Sequence, residues 1–347
     1  MQTRRALSLV GVLAAVAIMA GCSRAGKPVL HVFNWSDYIK EDLVKVFEEK
    51  YGCRVVMDFY DSNETMYAKV KAGGGGYDVI FPSSYMVSIM HGEGMLMPID
   101  RSKVPNLKYI DPDYTRFTMD PESDHSVPYM ISNSGIGYLK SRVPEVKSSW
   151  GMFDDASLAG RMTLMNDMRE TIGAALKFLG YSLNTTNDFE LAEARDVVIR
   201  WKKNIAKFES EQYRNGLASA EFLLCHGYNG DVMQVMEEND DVGYVIPEEG
   251  TSLASDDMVI PKDARNPDLA HAFINFLHEP EVAAENTAYI FYLCPNTASY
   301  KLLDAEVLED PTVVLPEALL AKCEVIRDLG ELNEKYTKVW DEIKAAQ

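Results

Sequence analysis

Aromatic and acidic residues recur side by side at positions that the sequence pattern places in loops or at helix starts. In LHVFNWSDYI (30–39) a short apolar run ends abruptly in such a group, and PSSY (82–85) ends another. An aromatic face attracts an organic cation, and a carboxylate pairs with an ammonium group. These residues predict the rim of a cleft whose chemistry is compatible with a small cation, and the candidates are Trp35, Ser36, Asp37, Tyr38, Ser83, Tyr85, Asp167, Glu170, Tyr228, Asp231, Asp256 and Tyr292.

Each candidate also has a purely structural explanation. Asp167 and Glu170 lie in the first turn of a predicted helix, where the helix dipole favours acids without any ligand. Tyr228 and Asp231 belong to GYNGD, which is typical of a simple turn. Single positions therefore do not decide between site and scaffold.

The sequence lacks the motifs of common catalytic centres. None of HExxH, GxSxG, GxxxxGK[ST] or GxGxxG occurs, and GGGG at 73–76 lacks the Lys and Ser/Thr of a phosphate loop. The six histidines are scattered, and the cysteine spacings match no zinc pattern. We therefore expect no enzyme activity, no cofactor and no metal site.

Alternating strand and helix patterns must position the candidate residues. Strands are predicted at 29–35, 53–60 and 77–84, and helices at 41–52, 63–73, 168–180 and 188–205. Residues 223–239 read as strand, turn and helix, and 267–290 as a helix broken at Pro280. This rhythm predicts an α/β fold with parallel sheets. Ligands of such sheets lie beyond the carboxyl ends of the strands, where NWSDYI and PSSY would meet.

The N-terminus reads as an export signal. Arg4 and Arg5 precede an apolar run at 6–20, and Gly21 then leads to Cys22. Small residues before a cysteine are similar to a bacterial lipobox, although Met19 stands where leucine is common. We predict a signal peptide over 1–21, lipidation of Cys22 and a linker over 22–28; ordinary cleavage nearby is the alternative. The mature protein would be periplasmic and bound to a bacterial membrane only through the lipid.

Charge and size narrow the choice of partners. The chain has 347 residues and a net charge of −19, which argues against nucleic acid and anionic lipid surfaces as partners. An acidic field concentrates cations, although plain solubility explains the charge equally well. The sequence does not decide whether the remaining cysteines, 53, 225, 294 and 323, are free or form disulfides.

From residue 29 to about 300, and more weakly beyond, the chain resembles the spermidine/putrescine-binding proteins of bacterial ABC uptake systems. The matching stretches include NWSDYI, DSNETMYAKVKAG, YDVIFPSSY, YNGDV, IPEEG and PKDARNPDLAHAFINFL. The resemblance implies the two-lobed periplasmic binding protein fold of type II, with a ligand cleft between the lobes. It also implies lobes of 29–133 plus 255–300 and of 134–254 plus 301–347, and permease subunits as partners.

The resemblance assigns roles to the candidate residues. Trp35, Tyr38, Ser83, Tyr85, Tyr228 and Tyr292 would surround the methylene chain of a polyamine, and Asp167, Glu170 and Asp256 would bind its ammonium groups. The chain departs from spermidine-preferring members at Ala254 and Tyr228, where they carry tryptophan, and at Ile326, where they carry glutamine. Asp37 and Asp231 are similar to acids of putrescine-preferring members. We therefore expect putrescine to bind better than spermidine.

Other functions remain open at this point. A polyamine sensor or adhesin could use the same scaffold, as could a binder of another solute. Ferric binders of this fold usually have adjacent tyrosines, which are absent here. An amino acid ligand would need an arginine, and none occurs in the candidate loops.

Overall fold

The computed structural model describes residues 26–60, 62–73, 75–115 and 117–346. The predicted signal peptide, Cys22 and the first part of the linker lie outside the described residues. Within them, no helix is long and apolar enough to cross a membrane.

Ten strands occur in the described part of the chain. They are β1 (Val29–Trp35), β2 (Arg54–Tyr60), β3 (Val79–Ile80), β4 (Ser126–Leu139), β5 (Met162–Leu164), β6 (Ile205–Phe208), β7 (Leu224–Tyr228), β8 (Val242–Val245), β9 (Ser252–Val259) and β10 (Glu324–Val325). Their order across the sheet is β2-β1-β3-β9-β4-β7-β5-β6, with β10 beside β9 and β8 beside β4.

Thirteen α-helices occur in the same residues. They are α1 (Glu41–Tyr51), α2 (Asn63–Lys71), α3 (Ser84–Gly92), α4 (Pro112–Thr115), α5 (Met168–Phe178), α6 (Asp188–Lys202), α7 (Tyr213–Ala218), α8 (Asn229–Glu238), α9 (Pro267–Leu277), α10 (Pro280–Ile290), α11 (Ala305–Glu309), α12 (Glu317–Leu320) and α13 (Asn333–Ala345).

The architecture is α/β, as predicted, and the sheet contains both parallel and antiparallel pairs of strands. Strands joined through helices are parallel, namely β1 with β2 and β3, and β5 with β6 and β7. The long strand β4 and its partner β9 introduce the antiparallel pairings. β4 pairs with β9 up to Asn133 and with β7 from Ser134 onward, so one strand belongs to both halves of the sheet.

Helices cover both faces of the first half of the sheet. Leu30 and Val32 of β1 belong to one buried cluster with residues of α1 and α9, whereas Phe33 belongs to another with residues of α2 and α3. Consecutive buried residues on β1 follow from this coverage of both faces. The second half is organised around a larger cluster that includes Trp150 and Trp201.

The predicted elements agree with the structure except in two places. The strand expected at 77–84 is limited to Val79–Ile80, because Pro82 has no N–H for the ladder and α3 begins at Ser84. The helix expected at 188–205 ends at Lys202, and residues from Ile205 form β6 instead. The break at Pro280 is confirmed, since Pro280 starts α10.

Candidate functional site

The loop after β1 and the turn after β3 meet, as the sheet rule predicts. Trp35 is the last residue of β1, and its Nε1 donates a hydrogen bond to the Phe81 carbonyl oxygen at 2.8 Å. The Trp35 and Tyr60 ring centroids are 4.5 Å apart, and the Tyr60 hydroxyl donates to the same carbonyl. These contacts fix the Trp35 ring as one wall at the carboxyl edge of the sheet.

Asp256 is the buried acid beside that wall. Its carboxylate accepts hydrogen bonds from the Tyr38 hydroxyl at 2.8 Å and from Ser83 Oγ at 2.6 Å. Burial raises the pKa of Asp256 to about 6, although both hydrogen bonds oppose the rise. No Lys, Arg or His of the described residues forms an ion pair with it. The structure therefore holds an acid that lacks a positive partner.

The start of α5 contributes two further acids. Asp167 is the N-cap, and its Oδ1 accepts from the backbone N–H groups of Arg169 at 2.8 Å and Glu170 at 3.0 Å. Its side chain is open to solvent, yet the surrounding protein desolvates the carboxylate enough to raise its pKa. Glu170 is buried and accepts from Ser252 Oγ at 2.7 Å. Burial, with Asp167 adding to it, raises the pKa of Glu170 to about 7.

His226 is the basic group nearest to Glu170, at 3.9 Å between Nε2 and Oε2. The imidazole is fully buried against the Trp150 ring, and neither ring nitrogen has a hydrogen-bond partner among the described residues. Burial lowers the pKa of His226 to about 3, which keeps the ring neutral near pH 7. His226 therefore does not compensate the Glu170 charge.

Three tyrosines lie among these acids. The Tyr38 and Tyr292 rings are 5.1 Å apart at 70°, which is an edge-to-face contact. Tyr228 ends β7, and burial raises the pKa of its hydroxyl, with Glu170, Asp167 and Asp256 adding to the rise in that order. The acids of α5 and β9 thus all raise the pKa of the same tyrosine hydroxyl.

Asp231, in the first turn of α8, and Asp37 form a further acidic centre. Asp231 accepts from the Tyr213 hydroxyl at 2.6 Å and from the Tyr292 hydroxyl at 2.9 Å. Arg214 Nη1 is 3.9 Å from Asp231 Oδ1 and also 3.9 Å from Asp37 Oδ2. Asp37 is exposed and has φ 54°, which is unusual for a residue other than glycine.

The remaining candidates are at the periphery. The Tyr85 hydroxyl donates to Glu64 Oε1 at 3.1 Å, and burial raises the Tyr85 pKa, with Glu64 and Asp167 adding to it. Ser36 is exposed and forms no hydrogen bond that the described residues show. Two surface grooves, one around Met152 and one around Ile110, contain none of the candidate residues.

Sequence reasoning missed several side chains of this region: Tyr60, Glu64, Tyr213, Arg214 and His226. Two arginines nevertheless lie close to candidate acids: Arg214, on the short helix α7, and Arg169, which favours the ionised form of Glu170. Tyr213 could have been noticed as the neighbour of Arg214, but no motif marks either residue. In the described residues no group of three or more His, Cys, Asp or Glu could hold a metal ion.

Comparison with known proteins identifies relatives across almost the whole chain. The family of bacterial extracellular solute-binding proteins matches residues 42–314. The putrescine/cadaverine-binding protein of Pseudomonas aeruginosa is 35% identical over 353 residues, which cover 96% of this chain and 98% of that protein. The spermidine/putrescine-binding periplasmic protein of Escherichia coli is 34% identical over 340 residues, covering 96% and 98%.

Solved structures give the same result. The TpPotD lipoprotein of Treponema pallidum matches with a TM-score of 0.82 and 37% identity, covering 91% of this chain and 99% of that one. The spermidine/putrescine substrate-binding protein PotD of Streptococcus pneumoniae matches with a TM-score of 0.84 and 33% identity, covering 92% and 99%. These matches confirm the predicted two-lobed binding-protein fold and the resemblance found in the motifs. The chain belongs to the bacterial extracellular solute-binding protein family, whose members bind transported solutes and are not enzymes.

Proposed function

We propose that this protein captures a polyamine outside the cytoplasm, putrescine in preference to spermidine, and delivers it to an ABC permease. One observation carries the proposal: Asp256 and Glu170 are buried acids, and neither forms an ion pair with a Lys or Arg of the described residues. Burying a carboxylate without compensation is costly, so a cationic ligand would stabilise this arrangement. The names of the relatives point to the same class of ligand.

A diamine has chemistry that fits these residues. It carries one charge at each end and an apolar chain between them. An aromatic face contributes about 0.5–2 kcal/mol toward a cation, and a charge-assisted hydrogen bond about 1.5–3 kcal/mol. Micromolar affinity requires about 8 kcal/mol, more than one such pair supplies once ordering costs are counted. Several acids and aromatics must therefore contribute together.

The preference for putrescine rests on what the site lacks. Ala254 and Ile326 stand where the resemblance expects tryptophan and glutamine in spermidine-preferring members. Both are half-buried in the structure and add neither an aromatic face nor a polar group. A longer amine would find fewer partners at these positions than a short one.

The proposal includes a closing motion and a membrane anchor. We propose that 29–133 plus 255–300 and 134–254 plus 301–347 are the two lobes, and that they close on the ligand through β4 and β9. The change of β4 partners between Asn133 and Ser134 supports a boundary there. We also propose cleavage after residue 21 and lipidation of Cys22, which tether the protein near the permease.

Calorimetric titration of ligand-stripped protein, lacking the first 22 residues, tests the proposal. We expect one-to-one binding of putrescine that is tighter than that of spermidine. Asp256→Asn and Trp35→Ala should each weaken binding at least tenfold. Asp257→Asn is the matched control, because Asp257 lies on the other face of β9 and accepts from Ser84 and Ser255. Absence of binding by folded wild-type protein would reject the proposal.

Transport is tested separately from binding. Cells lacking the gene should lose uptake of labelled putrescine, and wild-type protein should restore it whereas Asp256→Asn should not. Normal uptake without the gene would favour a polyamine sensor or adhesin.

A further inference from the structure

We infer that Arg214 restricts the site to two ammonium groups and so selects diamines over longer polyamines. The inference rests on the proposed function and deepens it. Arg214 would act as a built-in cation that offsets one of the two negative charges of the acidic centre formed by Asp37 and Asp231.

The position of Arg214 is defined by its contacts. Nη1 is 3.9 Å from a carboxylate oxygen of each acid, and Nη2 donates to Gln234 Oε1 at 3.3 Å. The Arg214 side chain is 31% exposed and that of Asp231 25%, so this charge is only partly screened by water. An arginine side chain carries a fixed positive charge.

The acids of the site follow one another through a chain of tyrosines. Glu170 and Asp256 both raise the pKa of the Tyr228 hydroxyl. The Tyr38 hydroxyl donates a hydrogen bond to Asp256. The Tyr38 ring contacts the ring of Tyr292, whose hydroxyl donates to Asp231. The site thus has three acidic centres, namely Asp167 with Glu170, Asp256, and Asp231 with Asp37, and Arg214 accompanies the last of them.

This arrangement predicts different affinities for diamines and triamines. A diamine can place its ammonium groups at Glu170 and Asp256, neither of which forms an ion pair with a Lys or Arg of the described residues, although the more distant Arg169 favours the ionised form of Glu170. A triamine needs a third acid, and its third ammonium would meet Arg214 at Asp231. Like charges a few ångströms apart repel in a partly desolvated site. Arg214 would therefore penalise the longer ligand specifically.

A second role for Arg214 makes a different prediction. Asp37 follows β1, whereas Arg214 and Asp231 lie on α7 and α8, so the arginine could simply hold the two halves of the protein together. Loss of such a latch would change the affinity for both amines by the same factor. The ratio of the two affinities therefore separates selection from latching.

Titration of Arg214→Gln with putrescine and spermidine decides the question. We expect the spermidine Kd to fall about tenfold relative to the putrescine Kd, which corresponds to about 1.4 kcal/mol. Arg214→Lys, which keeps the charge, should retain most of the wild-type ratio. Arg54→Gln is the matched control: it removes the same charge at the exposed first residue of β2, the end of that strand away from the site. Circular dichroism and melting temperatures verify that the variants are folded.

Each other outcome has a definite meaning. An unchanged ratio in Arg214→Gln, or an equal shift in Arg54→Gln, overturns the inference and leaves the proposed function intact. Equal weakening of both amines assigns Arg214 to latching instead. If neither wild-type protein nor Arg214→Gln binds any polyamine, the proposed function fails and the inference fails with it.

Discussion

Asp256 and Glu170 are carboxyls whose ionisation is opposed by their surroundings. Burial is the largest cause of both raised pKa values, whereas their hydrogen bonds act in the opposite direction. Asp257, on the other face of β9, is similar, and its pKa is raised to about 7. Polar serine and tyrosine hydroxyls thus hold the acids in place but do not compensate their charge.

Putrescine affinity should consequently fall as the pH drops through the range of about 7 to 6. A protonated carboxyl attracts an ammonium group only weakly, and burial raises the pKa of Glu170 to about 7 and that of Asp256 to about 6. Titrations between about pH 5 and pH 8 check this, with Glu170→Gln as the variant in which the higher-pH part of the change should disappear. An affinity that stays constant across this range would contradict the description of these acids.

The same pKa values predict how the ligand-free protein responds to pH. Because Glu170, Asp256 and Asp257 have raised pKa values in the folded state, the native protein binds more protons than the unfolded chain between about pH 4 and pH 7. Their contribution to the free energy of unfolding is therefore present at lower pH and is lost as the pH rises through 6 and 7. Urea unfolding across this range measures the trend, and a polyamine should restore stability at the higher pH.

At the scale of elements, α8 illustrates how close packing positions the site. A Cβ added to Gly230 would overlap the Tyr292 ring and lie 2.6 Å from the Ile290 carbonyl oxygen. The missing side chain lets α8 approach Tyr292 closely enough for Asp231 to accept its hydroxyl. A helix that otherwise favours alanine thus retains a glycine for contact.

Gly230→Ala should therefore reduce the free energy of unfolding by about 1–3 kcal/mol and weaken amine binding. The matched control is Gly173→Ala in α5, where the added Cβ would be 3.5 Å from Leu183 Cβ, an ordinary contact. That variant should be neutral or more stable by up to about 1 kcal/mol, since alanine favours helices. Chemical denaturation of both proteins measures the difference, and equal effects would reject the packing argument.

Elements with a clear local pattern could be predicted from the sequence, whereas those defined by distant partners could not. β1, α1, β2 and α2 alternate as their patterns indicate, and Gly52 ends α1 with φ 63°. β4 is buried along its length and has a bulge near Pro128, so neither alternation nor turn residues mark it. Its pairing with β9 joins residues more than 100 positions apart.

The residues of the candidate site divide in the same way, into those that the sequence indicates and those that only the fold brings together. Residue types and the family resemblance indicate Trp35, Tyr38, Asp256 and Tyr292; in the structure Tyr38 contacts both Asp256 and Tyr292, and Trp35 packs against the same buried cluster. Nothing in the sequence indicates Arg214, because its partners Asp37 and Asp231 lie outside its own helix and only the fold brings them to it. A single charged residue on a six-residue helix carries no pattern of its own.

At the scale of the whole molecule, the four described cysteines are free and buried: Cys53, Cys225, Cys294 and Cys323. This resolves the question that their spacing left open. Burial also raises their pKa values, so native thiols should react slowly.

Thiol titration should find four reactive cysteines in denatured protein that lacks the first 22 residues, and far fewer in native protein. Reductant should leave the melting temperature unchanged, because the described residues contain no disulfide to break. A melting temperature lowered by reductant would contradict the structure.

The sheet also has a consequence for how the chain comes to be folded. The side chain of Asn266 donates to the backbone of Val29, 237 positions earlier, and β9 lies between β3 and β4. At about 5–20 residues per second, a ribosome needs roughly 10–50 s to synthesise that interval. During this time the first strands lack their central neighbour, and long-range pairing of this kind is slow even in a finished chain. The nascent protein therefore stays unfinished long enough to meet an export system before it closes.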